Sequence, residues 1–198
     1  MKKKNVLLIG SSSLIGQAVL KNKIHKFTAP TKEKLDLSKR QSIEKFNYKG
    51  YDCLIIVAGA GGRHGKKFGF KDKEVDLDYI ANTVDVNCKG ITMLLKKYLT
   101  QNPKGNVATI GSISVVEMKT NHAVYASTKV YLDRLIDLLA NLYPDTNFSK
   151  INPASVNSRF QPKNPKLIAP EEVANCVWTA IEKNIKRIDI MDKTGLFY

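Results

Sequence analysis

Cysteine is scarce in this chain: three residues, Cys53, Cys88 and Cys176, stand far apart among 198. Their number is odd and no Cys-x-x-Cys pair occurs, which excludes a disulfide framework and a zinc ribbon and leaves reduced thiols. Arginine is scarce too, five of 32 basic residues. Readers of phosphate and base edges favour the bidentate fork of arginine, so the formal charge of +14 reads as a lysine-rich solvated surface rather than a nucleic-acid footprint, one that still steers small anions. No apolar stretch approaches the roughly 20 residues that span a bilayer. Met1-Lys2-Lys3-Lys4 begins like a signal peptide, but Val6-Leu7-Leu8-Ile9 ends at Gly10, too short for its apolar region. The expectation is a cytoplasmic protein with no membrane partner, the three leading lysines forming a solvated terminus. Glycine and proline are sparse, 12 and 7, which excludes collagenous and low-complexity classes.

What remains is one domain over residues 1–198, with 43 % apolar residues to build a core. Strand and helix patterns alternate along it. Asn5–Ile9, Lys26–Ala29, Asp52–Ala58, Val107–Ile110, Phe148–Ile151 and Arg187–Met191 read as short strands. Helical spacing follows from Leu14, from Ser38 as cap through Phe46, over Leu77–Leu99 with Gly90 inside, over Ala123–Leu142 and over Glu171–Lys183. Cys53-Leu54-Ile55-Ile56-Val57 is apolar on both faces, as a buried parallel strand requires. This succession predicts an α/β fold, a doubly wound parallel sheet in a three-layer α/β/α sandwich, with ligands beyond the carboxyl ends of the strands.

The residues placed there are informative. Gly10-Ser11-Ser12-Ser13-Leu14-Ile15-Gly16 joins the first strand to the first helix, where backbone N–H groups can meet a pyrophosphate; turns of this kind also hold glycine and serine for structural reasons alone. After the second strand stands Thr31-Lys32, with no acid before Glu33. A basic residue here selects a 2′-phosphate, although Lys32 reads equally as one more surface lysine. Tyr125 and Lys129 are four apart on a helix and share a face. A phenol releases its proton near pH 10, and drawing that to neutrality takes about 4 kcal/mol. One ammonium about 4 Å away supplies roughly that amount at an effective dielectric near 20, so the pair suffices for acid–base work on a carbonyl or alcohol. Seen in isolation it is also an amphipathic tyrosine beside a solvated lysine.

Thirteen residues before Tyr125 stands Ser112, after the Val107–Ile110 strand. Asn87 lies in Val86-Asn87-Cys88-Lys89-Gly90, Ala58-Gly59-Ala60 ends the Asp52–Val57 strand, and Asn152-Pro153-Ala154-Ser155-Val156-Asn157-Ser158 ends the Phe148–Ile151 strand. Together these resemble the short-chain dehydrogenase/reductase family, in register from Asn5 to about Met191. The resemblance implies a Rossmann-type oxidoreductase that uses NADP(H) by preference, with NAD(H) as the other option, on a small carbonyl or alcohol substrate. Tyr125 matches the proton-transferring tyrosine, and Lys129 the lysine that eases that proton and holds the nicotinamide ribose. Ser112 matches the serine bonded to the carbonyl, and Asn87 the asparagine that braces the lysine. Asp36-Leu37 resembles the Asp-Val pair at the adenine, Ala58-Gly59 the end of an Asn-Asn-Ala-Gly motif, and Pro153, Val156 and Ser158 the loop that orients the nicotinamide. Thr31-Lys32 before Asp36 resembles members that read a 2′-phosphate. Homodimers or homotetramers through Ala81–Leu99 and Ala123–Leu142 are also implied.

The chain departs from the pattern in four places. Leu14 stands at the middle glycine, Ile56-Val57 replace the two asparagines, Ala154 replaces the glycine after the proline, and only Phe160–Ala169 separate the Pro153 loop from the helix at Glu171. So short a cover predicts an open pocket. The other readings are a non-catalytic NADP(H)-binding or protein-interaction module, and RNA binding through His64 to Lys71, which resembles part of an RNA-recognition motif with Lys67 and Lys71 in place of the expected residues. His25, His64 and His122 show no ligand spacing, so no metal is expected; His122, near Tyr125, reads as a surface residue. Val177 and Trp178 read as a core or subunit-facing stripe.

Overall fold

A computed structural model describes residues 2–61, 77–116, 123–157 and 166–191. Six strands, β1 (Asn5–Ile9), β2 (Lys26–Thr28), β3 (Cys53–Ile56), β4 (Gly105–Ile110), β5 (Thr146–Pro153) and β6 (Arg187–Ile190), form one sheet in the order β2-β1-β3-β4-β5-β6, every pairing parallel. Alternate residues of each strand point to opposite faces, and here both faces are covered. Leu7, Ile9, Leu54, Ile56 and Val107 meet Ile43 of α2 (Arg40–Lys45), Leu94, Leu95 and Leu99 of α4 (Ile91–Gln101), and Leu132 and Ile136 of α5 (Ala123–Leu142). On the other face Val6, Leu8, Cys53, Ile55 and Ala108 meet Ala18 and Val19 of α1 (Leu14–Leu20) and Val173, Val177 and Trp178 of α6 (Pro170–Lys183). Each fully buried leucine, isoleucine or valine among them contributes about 1.5–3 kcal/mol. Among the described residues no helix is long and apolar enough to cross a membrane.

The helical pattern over Leu77–Leu99 resolves into α3 (Leu77–Val84), a π-helical turn Asp85–Gly90, and α4. Gly90 is required at this turn: a Cβ there would lie 2.1 Å from the Leu37 carbonyl oxygen, so its absence lets the helix approach the backbone after β2. Two expectations are corrected. Ser38 does not cap α2; its hydroxyl donates to Asp36 Oδ1 at 2.7 Å, and Lys39 stands at the N-cap without a side-chain hydrogen bond. Lys4 is not a solvated terminal residue, since its Nζ donates to Asn106 Oδ1 at 2.9 Å and its backbone N–H to His25 Nδ1 at 3.3 Å.

His25 lies against Trp178, ring centroids 4.6 Å apart, which places Trp178 in the core. Burial first, and Lys4 next, push the imidazole below its ordinary 6.5 against the opposing pull of Glu182. Above about pH 6.5 it is neutral in both folded and unfolded chains and this contact contributes fully. As the pH falls below that value the unfolded chain takes up the proton first, and stability is lost. The melting temperature should therefore fall on acidification from pH 6.5 to 5 more steeply than that of His25→Phe; parallel curves would dismiss the assignment.

Candidate active site

The carboxyl ends of β1, β3 and β4 converge with the start of α5. At β1, Gly10 holds φ +95°, and a Cβ on it would stand 2.5 Å from the Ala58 nitrogen, so only glycine fits. Ser13 caps α1, accepting from the Gly16 N–H at 3.0 Å and donating to the Gly10 carbonyl at 2.9 Å. A Cβ on Gly16 would meet that carbonyl oxygen at 2.3 Å. Ser12 and Ser13 are exposed, with Leu14 and Ile15 half-buried beside them. The glycine turn is thus built by packing requirements that leave its outer serines open.

Asn87 faces the end of β3 from the π-helical turn. Its Oδ1 accepts from the Ala60 N–H at 2.7 Å, while Nδ2 donates to the Ala60 carbonyl at 2.6 Å and to Thr128 Oγ1 at 3.0 Å. Thr128 in turn donates to the Tyr125 carbonyl at 2.7 Å. One amide therefore ties the loop after β3 to the first turns of α5. Lys129 is buried, its Nζ donating to the Ile110 carbonyl at 3.1 Å and lying 5.5 Å from the Tyr125 ring centroid. The half-buried Tyr125 ring packs on Gly61, whose φ is +134° and where a Cβ would overlap the ring carbon Cδ2 at 2.3 Å. Ser112, at the end of β4, caps the short 3₁₀ turn Ile113–Val115, accepting from the Ser114 N–H at 3.2 Å. The two serine hydroxyls also hydrogen-bond each other.

The adenine-side candidates are assembled differently. Lys32 is mostly exposed, its Nζ 4.0 Å from Asp36 Oδ2. Burial alone would raise Asp36, but hydrogen bonds from the Ser38 hydroxyl and N–H, with Lys32 and Lys39 nearby, outweigh it and hold the carboxyl below the usual range. Thr31 is exposed, its carbonyl accepting from the Lys34 and Leu35 N–H groups; Leu37 is buried. Pro153, the last residue of β5, is buried; beyond it Val156 bridges Ile168 in parallel, with Asn157 N–H donating to the Ile168 carbonyl at 2.8 Å. The cover is thus pinned at its far end by a core residue, Ile168. Ser158, His64, the Lys66–Lys71 segment, His122 and residues 160–165 of the cover lie outside the described residues.

The family model of short chain dehydrogenases matches residues 29–167. The chain belongs to that family. No curated protein matches it. Solved structures of similar fold include a small-chain dehydrogenase in complex with NADPH, 16 % identical with a TM-score of 0.82 over 96 % of this chain and 97 % of that one. An alcohol dehydrogenase from the archaeon Thermococcus sibiricus complexed with 5-hydroxy-NADP is 20 % identical, with a TM-score of 0.74 over 98 % of both chains. The bulky-bulky ketone specific alcohol dehydrogenase from Comamonas testosteroni is 16 % identical, with a TM-score of 0.77 over 96 % of this chain and 86 % of the other.

Among short-chain dehydrogenases such a site implies a nicotinamide dinucleotide, and the residues here fit one. Among the described residues, the Lys129 ammonium makes one hydrogen bond to a protein acceptor, leaving two of its three N–H donors for a ribose diol. In front of it, exposed Gly59 leaves open the space where a Cβ would stand 3.4 Å from both Lys129 Nζ and Asn87 Oδ1. Gly61, Ser114 and Thr128 join the site without having been singled out from the sequence. Thr128 directly precedes Lys129 and Ser114 follows Ser112 by two, so a search for hydroxyls flanking the matched residues would have found both. Among the described residues no group of three or more histidine, cysteine or acidic side chains forms a metal-binding cluster.

Proposed function

We propose that this chain is an NADP(H)-dependent carbonyl reductase or alcohol dehydrogenase, with NAD(H) as the weaker cofactor. The observation that carries the reading is the Asn87–Thr128–Tyr125–Lys129 unit: a buried ammonium beside a phenol, held to the loop after β3 by one asparagine. A lone surface tyrosine needs no such support. Gly10, Ser12, Ser13, Leu14, Ile15 and Gly16 would hold the pyrophosphate. Thr31, Lys32, Asp36 and Leu37 would hold the adenosine end, and Ala58, Gly59, Ala60, Pro153, Val156 and Ser158 the remainder. When bound, the reduced nicotinamide supplies a hydride to the substrate carbonyl carbon.

The protein's part concerns the oxygen. Tyr125 donates its hydroxyl proton to the carbonyl oxygen as the C=O bond becomes C–OH, and takes a proton back in the oxidising direction. The Lys129 ammonium, 5.5 Å from the centroid of the ring, offsets the negative charge of the phenolate while that proton is away. Ser112 steadies the substrate oxygen. Its hydroxyl is free to donate outward when Ser114 donates to it, since its oxygen already accepts from the Ser114 N–H. Exposed apolar residues of α5, Val130, Tyr131 and Leu138, support the pairing of copies into a dimer or tetramer.

Titration of the purified protein with NADPH and NADH, then turnover on aldehydes, ketones and keto-sugars, tests the reading. Lys32→Ala should weaken NADPH about tenfold, the size of one charge-assisted hydrogen bond, and leave NADH unchanged. Equal loss for both cofactors would remove Lys32 from phosphate recognition. NADPH binding with no turnover on any carbonyl would favour a non-catalytic module.

A further inference from the structure

Below Tyr125 and Lys129, α5 carries Asp133 and Asp137 at the same four-residue step. Both meet a lysine that rises from the sheet: Lys150 Nζ donates to Asp133 Oδ2 at 3.0 Å and to Asp137 Oδ1 at 2.7 Å. The Lys150 side chain is only 8 % exposed, an exception in a chain whose lysines mostly face water. Its neighbour across the β5–β6 pairing is Arg187. That guanidinium lies 3.9 Å from Asp133 Oδ1, and its Nε donates to both carboxylate oxygens of Asp189 at 3.0 Å. Asp189 Oδ1 accepts from Asn152 Nδ2, also at 3.0 Å. Asn152 is buried, and among the described residues its Oδ1 has no hydrogen-bond partner. That oxygen presses on Gly111, where even a Cβ would lie 2.0 Å from it.

The connected set therefore begins on the helix of Tyr125 and Lys129 and ends at the residues beside Ser112 and Pro153. Its energetics argue against a role in bulk stability. Removing several charges from water costs a few kcal/mol per ion, and apolar residues of similar volume commonly serve a core equally well or better. Such clusters provide direction instead. Apolar contacts between helix and sheet are non-directional and tolerate sliding, whereas two short hydrogen bonds from one ammonium to successive turns fix a helix along its axis. An error of about 1 Å at reacting groups can cost about a hundredfold in rate.

We propose that Lys150 with Asp133 and Asp137 sets the height of α5 over the sheet, and that Arg187, Asp189 and Asn152 extend the same clamp to the Gly111–Ser112 turn. These are positioning residues, acting through Tyr125, Lys129 and Ser112, and the inference rests on the catalytic reading above.

The test compares wild type with a charge-free triple variant, Asp133→Asn, Asp137→Asn and Lys150→Met, and with Asp189→Asn. The triple variant should melt within a few degrees of wild type and keep its KM for NADPH within about twofold. Its kcat should be about tenfold lower, and its amide exchange over residues 125–137 about tenfold faster, with α1, α4 and α6 unchanged. Asp189→Asn, whose side chain is partly exposed, should lower kcat about threefold without altering α5 exchange. It carries the test if the triple variant fails to fold. Wild-type α5 exchange in the triple variant, or wild-type kcat in both variants, would overturn the clamp. A wild-type protein that turns over no carbonyl would overturn the catalytic reading instead, while α5 exchange still decides whether the cluster fixes the helix.

Discussion

Tyr125→Phe is expected to lower carbonyl turnover by about a thousandfold, within the span attributed to general acid–base groups. NADPH binding should stay within about twofold of wild type. The substitution removes one oxygen and leaves the ring, so packing against Gly61 and the Lys129 ammonium persists. The backbone carbonyl that takes the Thr128 hydrogen bond is also untouched. A loss confined to kcat, read from NADPH oxidation at saturating cofactor, would place the phenol in the proton step. Wild-type turnover would remove Tyr125 from the mechanism and point to Ser112 or bound water as the proton source.

The second large effect concerns stability. Lys150→Met alone should destabilise the fold by about 3 kcal/mol, the lower part of the range for breaking a buried ion cluster by removing one partner. Asp133, with its side chain 17 % exposed, would lose its close cation and keep only Arg187 at 3.9 Å. Asp137 is about half exposed, so water satisfies it and it adds little. For a domain of this size the melting temperature should drop by about 6–12 °C. The triple variant, which neutralises both acids as well, should recover most of that drop. Equal melting temperatures for wild type and Lys150→Met would mean that solvent already carries the lysine's charge.

The contrast shows where the sequence was legible. The sheet and its helices could be read because the central strands β1 and β3 are apolar on both faces, and Ala123–Leu142 stood out because its periodicity is long and uninterrupted. Tyr125 and Lys129 were legible because they interact within one helix. Features that depend on contacts between elements were not. The π-helical turn leaves no mark in the pattern over Leu77–Leu99, for what it serves is a bond pair from Asn87 to Ala60, 27 residues away. Ser38 looked like a cap because its hydroxyl precedes a helix, yet Asp36 two residues back captures it first. Lys150 resembled the other lysines, since nothing local says that two carboxylates await it above the sheet. Gly61 is illegible for the same reason: its need for glycine comes from the Tyr125 ring on α5.

The missing side chain at position 90 reaches beyond local fit. With only a hydrogen there, the helix that follows the Asn87 turn packs directly on the Leu37 carbonyl, one residue beyond Asp36. Where Thr31, Lys32 and Asp36 hold the adenosine end, as proposed above, recoding them to exchange one coenzyme for another should disturb the backbone on which the Asn87 turn rests. Redesign of coenzyme choice in this scaffold should change reaction rate along with affinity, and compensating substitutions belong on the helix around Gly90 rather than beside the nucleotide.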